Sequence, residues 1–575
     1  MPKTGSFTFV LHSHLPYVLS HGRWPHGTDW LNEAAAETYI PILNVLNRLV
    51  DEGISPKLTL GLTPVLTEQL RSPSFKDEFK GYLKQKIEAA QADRKEFKAT
   101  KEPGMAKVAA MWEDFYQGAL DSFTGVYKQD IAGAFAKLQR DGHIEIITCG
   151  ATHGYFPLLS RDESIQAQVR QAVESYRRNF GRKPKGIWLP ECAYRPGYKW
   201  TAPVECCGLK PYDRKGVEDF LSENGINFFI VDSHMIEGGE AIGVYLERFE
   251  ALGKLWSDFA ETYAPRPVDP AKSHYDIYAV GKKPGKKPVA ILTRDPKTGL
   301  QVWSGEHGYP GNPQFLDFHK KRFPGGLRYW RVTDTKADLA EKKDYNPAAA
   351  AKYIPEQAMH FVGLVKDNLR ENYKNTKRSG LLTAPYDAEL FGHWWFEGPE
   401  WLYHVLKGMA KDDEVELTTG SEYLEKHRER TVINLPEGSW GEGGFHYIWF
   451  NEWTDWTWKH IYEAEADMIA LAREFGGSTD EKLQDILRQT ARELLLLQSS
   501  DWQFLISTFA ARDYAEMRFT EHVSAFRRLS QMAWKYGRGE QVDKGEWEFL
   551  GIIKERDDLF PDIDPKWWAR VEYPE

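Results

Sequence analysis

Cysteine is scarce in this sequence, with only four among 575 residues and no two of them in a C-x-x-C pair. A disulfide-rich scaffold needs more cysteines and a zinc ribbon needs that spacing, so both are excluded. The adjacent Cys206 and Cys207 are expected to be small buried hydrophobic residues. Positive charge is also in deficit, since 74 Lys and Arg stand against 84 Asp and Glu, a net charge of −10. Because nucleic-acid binding requires a basic surface, we expect no nucleic-acid partner.

Long apolar segments and glycine-rich phosphate loops are absent as well. No run of 18 apolar residues occurs, so we predict no transmembrane helix and no membrane partner. The apolar stretch near the start ends at His12 and His14, whereas a signal peptide needs a longer apolar core and a cleavage site. We therefore expect a cytoplasmic protein. No GxGxxG or GxxxxGK[ST] loop follows any predicted strand, which argues against a nucleotide enzyme.

Aromatic residues, by contrast, are abundant. The 21 Trp, 27 Tyr and 30 Phe make up 14% of the chain, which excludes disorder and predicts a large folded core. Eight of the tryptophans fall within one short region, at Trp394, Trp395, Trp401, Trp440, Trp449, Trp453, Trp456 and Trp458. Sugar rings stack on flat aromatic side chains through their apolar C–H faces. We expect two or three of these tryptophans to face a sugar and the others to lie in the core.

Short apolar strands alternate with amphipathic helices through the first 400 residues. This pattern predicts βαβ units and a parallel sheet, with polar residues directly after each strand. The predicted strands are at 6–11, 57–62, 143–148, 185–189, 227–232 and 379–383. In a barrel the carboxyl ends of such strands meet on one face, and that face carries the chemistry.

Two other regions have helical patterns. Residues 75–139 are rich in charge, and we predict a helical insertion at about 70–135. Helices dominate from about residue 420, where Ser478 and Glu481 fit a capping box at the start of a helix. We predict a catalytic barrel at 1–415 and a helical C-terminal domain at 416–575.

Two acidic residues follow predicted strands in aromatic surroundings. Glu191 lies beside Trp188 and Tyr194, and Asp387 lies beside Tyr386 and several later aromatics. Aromatic walls remove water from a carboxylic acid and raise its pKa, which suits a general acid at neutral pH. Two carboxyl groups in unlike surroundings are the minimum machinery for glycosidic-bond chemistry. The alternative is that both are ordinary loop acids held in ion pairs.

The histidines offer a rival hypothesis. His12 and His14 after the first strand have the spacing of a metal-binding HxH motif, and His153 and His234 also follow predicted strands. With Glu191 and Asp387 these residues could form a metal-dependent hydrolase site. In a sugar enzyme the same imidazoles would instead hydrogen-bond the hydroxyl groups of the ring at the cleavage point.

Five ordered motifs spread over about 500 residues resemble glycoside hydrolase family 57, and within it the glucan-branching members. The motifs are HSHLPY at 12–17, GATHGY at 150–155, WLPECAY at 188–194, YDAELFGHWW at 386–395 and WFNEWTDW at 449–456. Any one of them is weak evidence, but five in the right order are specific.

The resemblance implies a (β/α)7 barrel and a retaining double displacement. Glu191 would be the nucleophile and Asp387 the acid/base, with their carboxyl groups ~5–5.5 Å apart. The substrate-binding residues would be His12, His14, His153, Arg294, Trp303, Gly311, Trp394, Trp440, Trp449 and Asp501. The resemblance implies no metal and no cofactor.

The implied substrate is an α-glucan such as amylose, cleaved at an α-1,4 bond and transferred to a 6-hydroxyl to form an α-1,6 branch. Similar enzymes cover the site with a loop that carries a tyrosine. The corresponding stretch, roughly 235–290, departs from the expected pattern, and Tyr275 and Tyr278 are the candidates for that tyrosine. We expect a monomer or a small homo-oligomer.

The resemblance leaves other activities open. The nearest are an α-amylase and a 4-α-glucanotransferase of the same family, which share the fold and the retaining chemistry. More remote are the metal-dependent hydrolase and a carbohydrate-binding protein without turnover.

Overall fold

The computed structural model describes residues 3–241, 251–253, 255–256, 264–281, 287–305, 308–428 and 430–571. The strands in these residues are β1 (Gly5–Ser13), β2 (Leu58–Leu62), β3 (Ile144–Ile147), β4 (Gly186–Ile187), β5 (Lys199–Trp200), β6 (Tyr212–Asp213), β7 (Phe228–Val231), β8 (Tyr278–Val280), β9 (Val289–Thr293), β10 (Gly380–Asp387), β11 (Val415–Leu417) and β12 (Thr431–Val432).

The α-helices in the same residues alternate with the strands at first and then dominate the last part of the chain. They are α1 (Thr28–Ala34), α2 (Ile40–Asp51), α3 (Pro64–Arg71), α4 (Pro73–Ala99), α5 (Pro103–Asp121), α6 (Ile131–Arg140), α7 (Asp162–Phe180), α8 (Val217–Glu223), α9 (Ser233–Glu237), α10 (Pro296–Trp303), α11 (Pro347–Thr376), α12 (Gly398–Ala410), α13 (Gly420–Lys426), α14 (Asp455–Phe475), α15 (Glu481–Leu497), α16 (Asp501–Thr508), α17 (Arg512–Gly537) and α18 (Lys544–Arg556).

Seven parallel strands close into a barrel. One arc has the order β10-β1-β2-β3 and the other the order β4-β7-β9. Parallel bridges join the arcs at both seams, between Thr148 and Ile187 and between Arg294 and Thr383. The predicted (β/α)7 barrel is therefore confirmed, and its two seams are the distortion, because single bridges replace full ladders there.

The first strand shows why the barrel forms. All nine residues of β1 are buried, as expected for a parallel strand covered on both faces. Its apolar residues lie in the core, and the two consecutive polar residues His12 and Ser13 come at its carboxyl end. Because β1 pairs in parallel with β10, His12 lies opposite Asp387 in the ladder. The strand ends thus bring two distant polar residues side by side.

Helices surround the barrel and extend it on one side. The segment between β2 and β3 contains α3 to α6, and the long helices α4 and α5 pack against each other there. The last part of the chain is helical from α14 to α18. The predicted domain boundary at residue 415 coincides with the first residue of β11, which pairs with β1. No helix in the described ranges is long and apolar enough to cross a membrane.

The expectation for Cys206 and Cys207 was wrong. The two residues form a disulfide with each other, and Cys206 is half-buried whereas Cys207 is exposed. They lie in the connection between β5 and β6, and such connections run over the protein surface rather than through the core.

Candidate active site

A cavity of about 180 Å³ lies at the carboxyl ends of the barrel strands. Side chains from distant parts of the sequence converge there: His12, His14, Leu15, His153, Glu191, Trp303, Asp387, Glu389, Trp394, Trp440, Asp501 and Phe504. This is the face on which barrel enzymes carry their catalytic groups. Both predicted carboxylates thus line one enclosed space.

Glu191 lies on a short 3₁₀ turn after β4 with left-handed backbone angles, φ 59° and ψ 28°. This uncommon conformation for a non-glycine residue is typical of functional sites. The indole Nε1–H of Trp440 donates a hydrogen bond of 2.7 Å to Glu191 Oε2, and the backbone N–H of Trp440 donates to the Glu191 carbonyl. His153 Nδ1 is 3.9 Å from Oε1.

The electrostatics of this site raise the pKa of Glu191 to about 8. Burial is the largest cause, and the negative charges of Asp387 and Asp501 add to it. The Trp440 hydrogen bond acts in the opposite direction because it stabilises the carboxylate. The raised pKa therefore favours the protonated form of Glu191 at neutral pH.

Three stacked imidazoles form the floor of the cavity. The rings of His14 and His153 are 3.9 Å apart and nearly parallel, and the His12 ring stacks on Trp188 at 4.7 Å. Nε2 of His12 is 3.2 Å from Nε2 of His153, so one of them donates a hydrogen bond to the other. Burial, together with the neighbouring imidazoles, holds the pKa of both His12 and His153 well below its usual range. Both rings are therefore neutral near pH 7.

Residues of the helical domain hold the imidazoles in place. Asp501, the first residue of α16, accepts from His14 Nε2 at 2.9 and 3.0 Å. Ser500 Oγ is 2.8 Å from His153 Nδ1. Burial opposes the ionisation of Asp501, but His14, His153 and Ser499 outweigh it and lower the pKa of Asp501 to about 2. Asp501 is therefore a carboxylate throughout the working range of pH.

Two groups in the cavity have ligand atoms close enough to hold a metal ion: His12, Cys149 and His153, and His14, His153 and Asp501. Most of the ring nitrogens already have polar partners, whereas Nδ1 of His12 is buried without a hydrogen bond. Nε2 of His14 bonds Asp501, Nδ1 of His153 faces Ser500, and the two remaining Nε2 atoms face each other. This arrangement fits hydrogen-bonding imidazoles, and metal ligation would require these bonds to break.

Two predicted substrate residues lie behind the cavity wall rather than in it. Arg294 is buried and forms a salt bridge with Asp232, and its guanidinium lies 5.7 Å from the ring of Trp440. It therefore supports the residue that bonds Glu191. Gly311 ends a short 3₁₀ turn, where a Cβ atom would be only 2.3 Å from the carbonyl of Gly305. Only glycine fits that close approach.

The predicted tryptophans separate into two groups. Trp303, Trp394 and Trp440 line the cavity, with the ring of Trp303 6.3 to 6.4 Å from the other two. Trp449 is fully buried and stacks on Tyr155 at 4.5 Å. It belongs to the core beneath the site.

Neither candidate for the loop tyrosine lines the cavity. Tyr275 donates a hydrogen bond to Asp295, and its carbonyl accepts from the start of β10, far from Asp387 at the other end of that strand. Tyr278 begins β8 and is buried. Much of the stretch 235–290 that was expected to carry the loop lies outside the described residues.

The cavity also contains three residues that the sequence argument did not single out: Leu15, Glu389 and Phe504. Leu15 and Glu389 stand inside two of the five motifs, so their positions were available from the pattern. Phe504 follows Asp501 by three residues on α16, and this helical spacing places both on one face.

The fold and the site define a class of protein, a barrel enzyme with paired carboxyl groups and aromatic walls. Residues 8–436 match the sequence profile of glycosyl hydrolase family 57, and residues 460–568 match that of the 1,4-alpha-glucan branching enzyme C-terminal domain. The chain belongs to glycosyl hydrolase family 57.

Its relatives include enzymes of two activities. The chain is 42% identical over 559 residues to the 1,4-alpha-glucan branching enzyme TK1436 of Thermococcus kodakarensis, covering 97% of this chain and 77% of that one. The crystal structure of a branching enzyme from Pyrococcus horikoshii matches with a TM-score of 0.87 and 38% identity, over 100% of this chain and 98% of the other. The α-amylase AmyC of Thermotoga maritima matches with a TM-score of 0.80 and 28% identity, over 99% and 100%.

Proposed function

We propose that the protein is a 1,4-alpha-glucan branching enzyme. It cleaves an α-1,4 bond of an amylose-like chain and transfers the cut piece to a 6-hydroxyl, forming an α-1,6 branch. The observation that carries the proposal is the pairing of Glu191 and Asp387 in one enclosed cavity with three tryptophans. Two relatives that cover nearly the whole chain and are 38% or more identical to it are branching enzymes, which supports the proposal.

The reaction proceeds in two displacements with Glu191 as nucleophile. Asp387 donates its proton to the glycosidic oxygen while a carboxylate oxygen of Glu191 attacks C1, and the C1–O bond to the leaving chain breaks. In the second step Asp387 takes the proton from the acceptor's 6-hydroxyl as that oxygen attacks C1. The bond from C1 to Glu191 breaks, and both carboxyl groups regain their starting states.

The chemistry needs the proton on Asp387, whereas the raised pKa of Glu191 favours a proton on Glu191 at neutral pH. We infer that substrate binding moves it. Hydroxyl groups of the bound sugar and the Trp440 N–H donate to the Glu191 carboxylate, and donation to the charged form favours ionisation. The glycosidic oxygen then gives Asp387 a partner for the proton. One proton shared by two carboxyl groups is all that this mechanism needs.

Transfer rather than hydrolysis requires that a sugar hydroxyl reach the intermediate before water does. The small cavity has apolar walls at Leu15 and Phe504 and aromatic walls at its tryptophans. A bound glucan fills such a space and displaces water, and the next sugar then supplies the attacking oxygen.

Product analysis of an amylose digest tests the proposal. Proton NMR of the wild-type product should show a new α-1,6 anomeric signal, and debranching should release short linear chains. Glu191→Gln protein is the matched control, because it keeps the shape of the side chain but lacks the nucleophile. Full branching activity in Glu191→Gln would overturn the assignment of the site.

The second candidate is an α-amylase, which the similarity to the Thermotoga maritima enzyme favours. An amylase would raise the number of reducing ends without any α-1,6 signal.

The metal-dependent hydrolase is tested separately, by metal analysis of the purified protein. Stoichiometric zinc would make us abandon the glucan mechanism. The cytoplasmic location and the monomeric or small homo-oligomeric state stay predictions.

A further inference from the structure

Besides the catalytic pair and Asp501, the cavity is lined by a fourth carboxyl group, that of Glu389. Glu389 lies on the 3₁₀ turn Ala388–Leu390, directly after Asp387 at the end of β10. Its side chain lines the cavity although the residue is only 6% exposed. A buried carboxyl group without a bound charge partner is costly, so its retention at this position calls for an explanation.

The protein holds one oxygen of this group and leaves the other for the cavity. Oε1 accepts two hydrogen bonds, from the hydroxyl of Tyr39 at 2.5 Å and from the backbone N–H of His14 at 3.2 Å. Oε2 accepts no hydrogen bond from another residue within the described part of the chain. Because Oε1 is turned toward Tyr39 and His14, Oε2 is the atom that a ligand in the cavity would meet.

The position of Glu389 near Asp387 places it on the side of the cavity where the acceptor sugar binds. Asp387, two residues earlier, exchanges protons first with the leaving oxygen and then with the acceptor oxygen, so the acceptor must lie beside it. The carbonyl of Glu389 accepts from the backbone N–H of Trp394 at 3.1 Å, which fixes an aromatic ring on the same side. A carboxyl group next to a flat aromatic ring can hydrogen-bond and stack one sugar unit.

We propose that Glu389 binds a hydroxyl group of the acceptor glucan through Oε2 and thereby favours transfer over hydrolysis. The inference rests on the proposed function and extends it to the acceptor side of the site. Burial raises the pKa of Glu389 to about 7, against the hydrogen bonds from Tyr39, from its own backbone N–H and from the backbone N–H of His14. The group can therefore both donate to and accept from a hydroxyl near neutral pH.

Three variants test the proposal on amylose with and without added acceptor glucan. Glu389→Ala removes the cavity-facing group. Glu389→Gln keeps an oxygen for Tyr39 and His14 and presents an amide to the acceptor. Asp513→Asn is the control, because it removes a carboxylate from an exposed position on α17 that does not line the cavity. Each reaction is followed by reducing ends for hydrolysis and by α-1,6 signals for transfer.

We expect Glu389→Ala to lower the ratio of transfer to hydrolysis about tenfold, the size expected for one hydrogen bond to an ionisable group. Added acceptor should restore part of the ratio, because the defect lies in acceptor binding. Glu389→Gln should keep most of the wild-type ratio, and Asp513→Asn should leave the ratio unchanged.

Two results would overturn the inference. Equal losses of hydrolysis and transfer in Glu389→Ala would mean that the residue only holds the His14 backbone. Wild-type rates of both hydrolysis and transfer in Glu389→Ala would mean that no acceptor contact exists. If the wild type forms no α-1,6 linkage at all, the proposed function fails instead, and the same variants are then compared by the transfer of α-1,4 chains to the added acceptor.

Discussion

The two sides of the cavity come from distant parts of the chain and are held in different ways. The barrel side contains His12 and Asp387, which the ladder between β1 and β10 positions, and Glu191, which lies on the turn after β4. The other side comes from residues after 430, chiefly Trp440 and Asp501. These reach the site through side-chain hydrogen bonds to Glu191 and His14.

This difference suggests a division of labour. The barrel supplies the groups that make and break bonds, while the later residues orient those groups and set their protonation. Replacing a catalytic residue of the barrel removes a group that makes or breaks bonds. Replacing a later residue removes only a hydrogen bond that orients such a group. The loss of activity should therefore be orders of magnitude larger for substitutions on the barrel side than for substitutions among the later residues.

The largest effect is expected on the barrel side. Glu191→Ala and Asp387→Ala should each lower kcat by about 10⁴-fold on amylose, as for other residues that act as one catalytic unit. With an α-glucosyl donor that has a good leaving group, azide should restore turnover in both variants. Azide replaces the missing nucleophile in Glu191→Ala and gives an inverted glycosyl azide, whereas in Asp387→Ala it attacks the intermediate and gives a retained one.

The stereochemistry of the azide product is the decisive measurement. Retained azide from Glu191→Ala would reverse the roles of the two carboxyl groups. This test matters because the raised pKa of Glu191 favours its protonated form, as expected of an acid rather than a nucleophile.

A smaller effect is expected from Asp501→Asn on the opposite side. The change leaves His14 without a charged partner in a mostly buried position. A hydrogen bond to a charged group contributes about 1.5–3 kcal/mol, so kcat/KM should fall roughly 10- to 100-fold. Steady-state kinetics on amylose measures this loss. The exposed Asp513→Asn in the same domain is the control and should be unaffected. A loss as large as that of Glu191→Ala would contradict the division of labour.

Trp440→Phe keeps an aromatic wall but removes the N–H that stabilises the Glu191 carboxylate. Without this donor the pKa of Glu191 rises above about 8, since the hydrogen bond lowers it. The proton that Glu191 and Asp387 share then lies on Glu191 in a larger fraction of the enzyme molecules. An increase of about 1 in this pKa corresponds to about 1.4 kcal/mol, so kcat/KM near pH 7 should then fall about tenfold.

The pH profile gives the sign of this effect. At alkaline pH the two carboxyl groups lose their shared proton, and kcat/KM falls. This fall should be centred near pH 8 in the wild type and at a higher pH in Trp440→Phe. A limb that moves to lower pH would show that the indole does not stabilise the carboxylate.

Much of the barrel side could be predicted from the sequence, because its signal is local. The apolar run at 6–11 followed by His12 predicts a strand end, and the observed β1 extends to Ser13. Asp387 was found for the same reason, since it follows an apolar run that the structure shows as β10. The alternation of strands and helices was enough to predict the barrel.

The other side could not be predicted from local patterns. Asp501 begins a helix almost 490 residues after His14, and nothing near it in the sequence marks a partner. Only the family resemblance pointed to it.

The predicted capping box was also wrong in detail, because the side chain of Asp480, not Ser478, caps the helix that begins at Glu481. Two nearby polar residues compete for such a role, and backbone geometry decides between them.

The smallest effect is expected from Ser500→Ala, which removes the hydroxyl facing His153 Nδ1 at 2.8 Å. A neutral hydrogen bond contributes about 1 kcal/mol, so kcat/KM should fall about fivefold. The bond fixes which nitrogen of His153 carries hydrogen and therefore which one faces His12. Measuring kcat/KM for Ser500→Ala and for Asp501→Asn compares two neighbouring residues that hydrogen-bond the same stack of imidazoles. A loss in Ser500→Ala equal to that in Asp501→Asn would show that the stack moves as a unit, and the later residues would then act together rather than bond by bond.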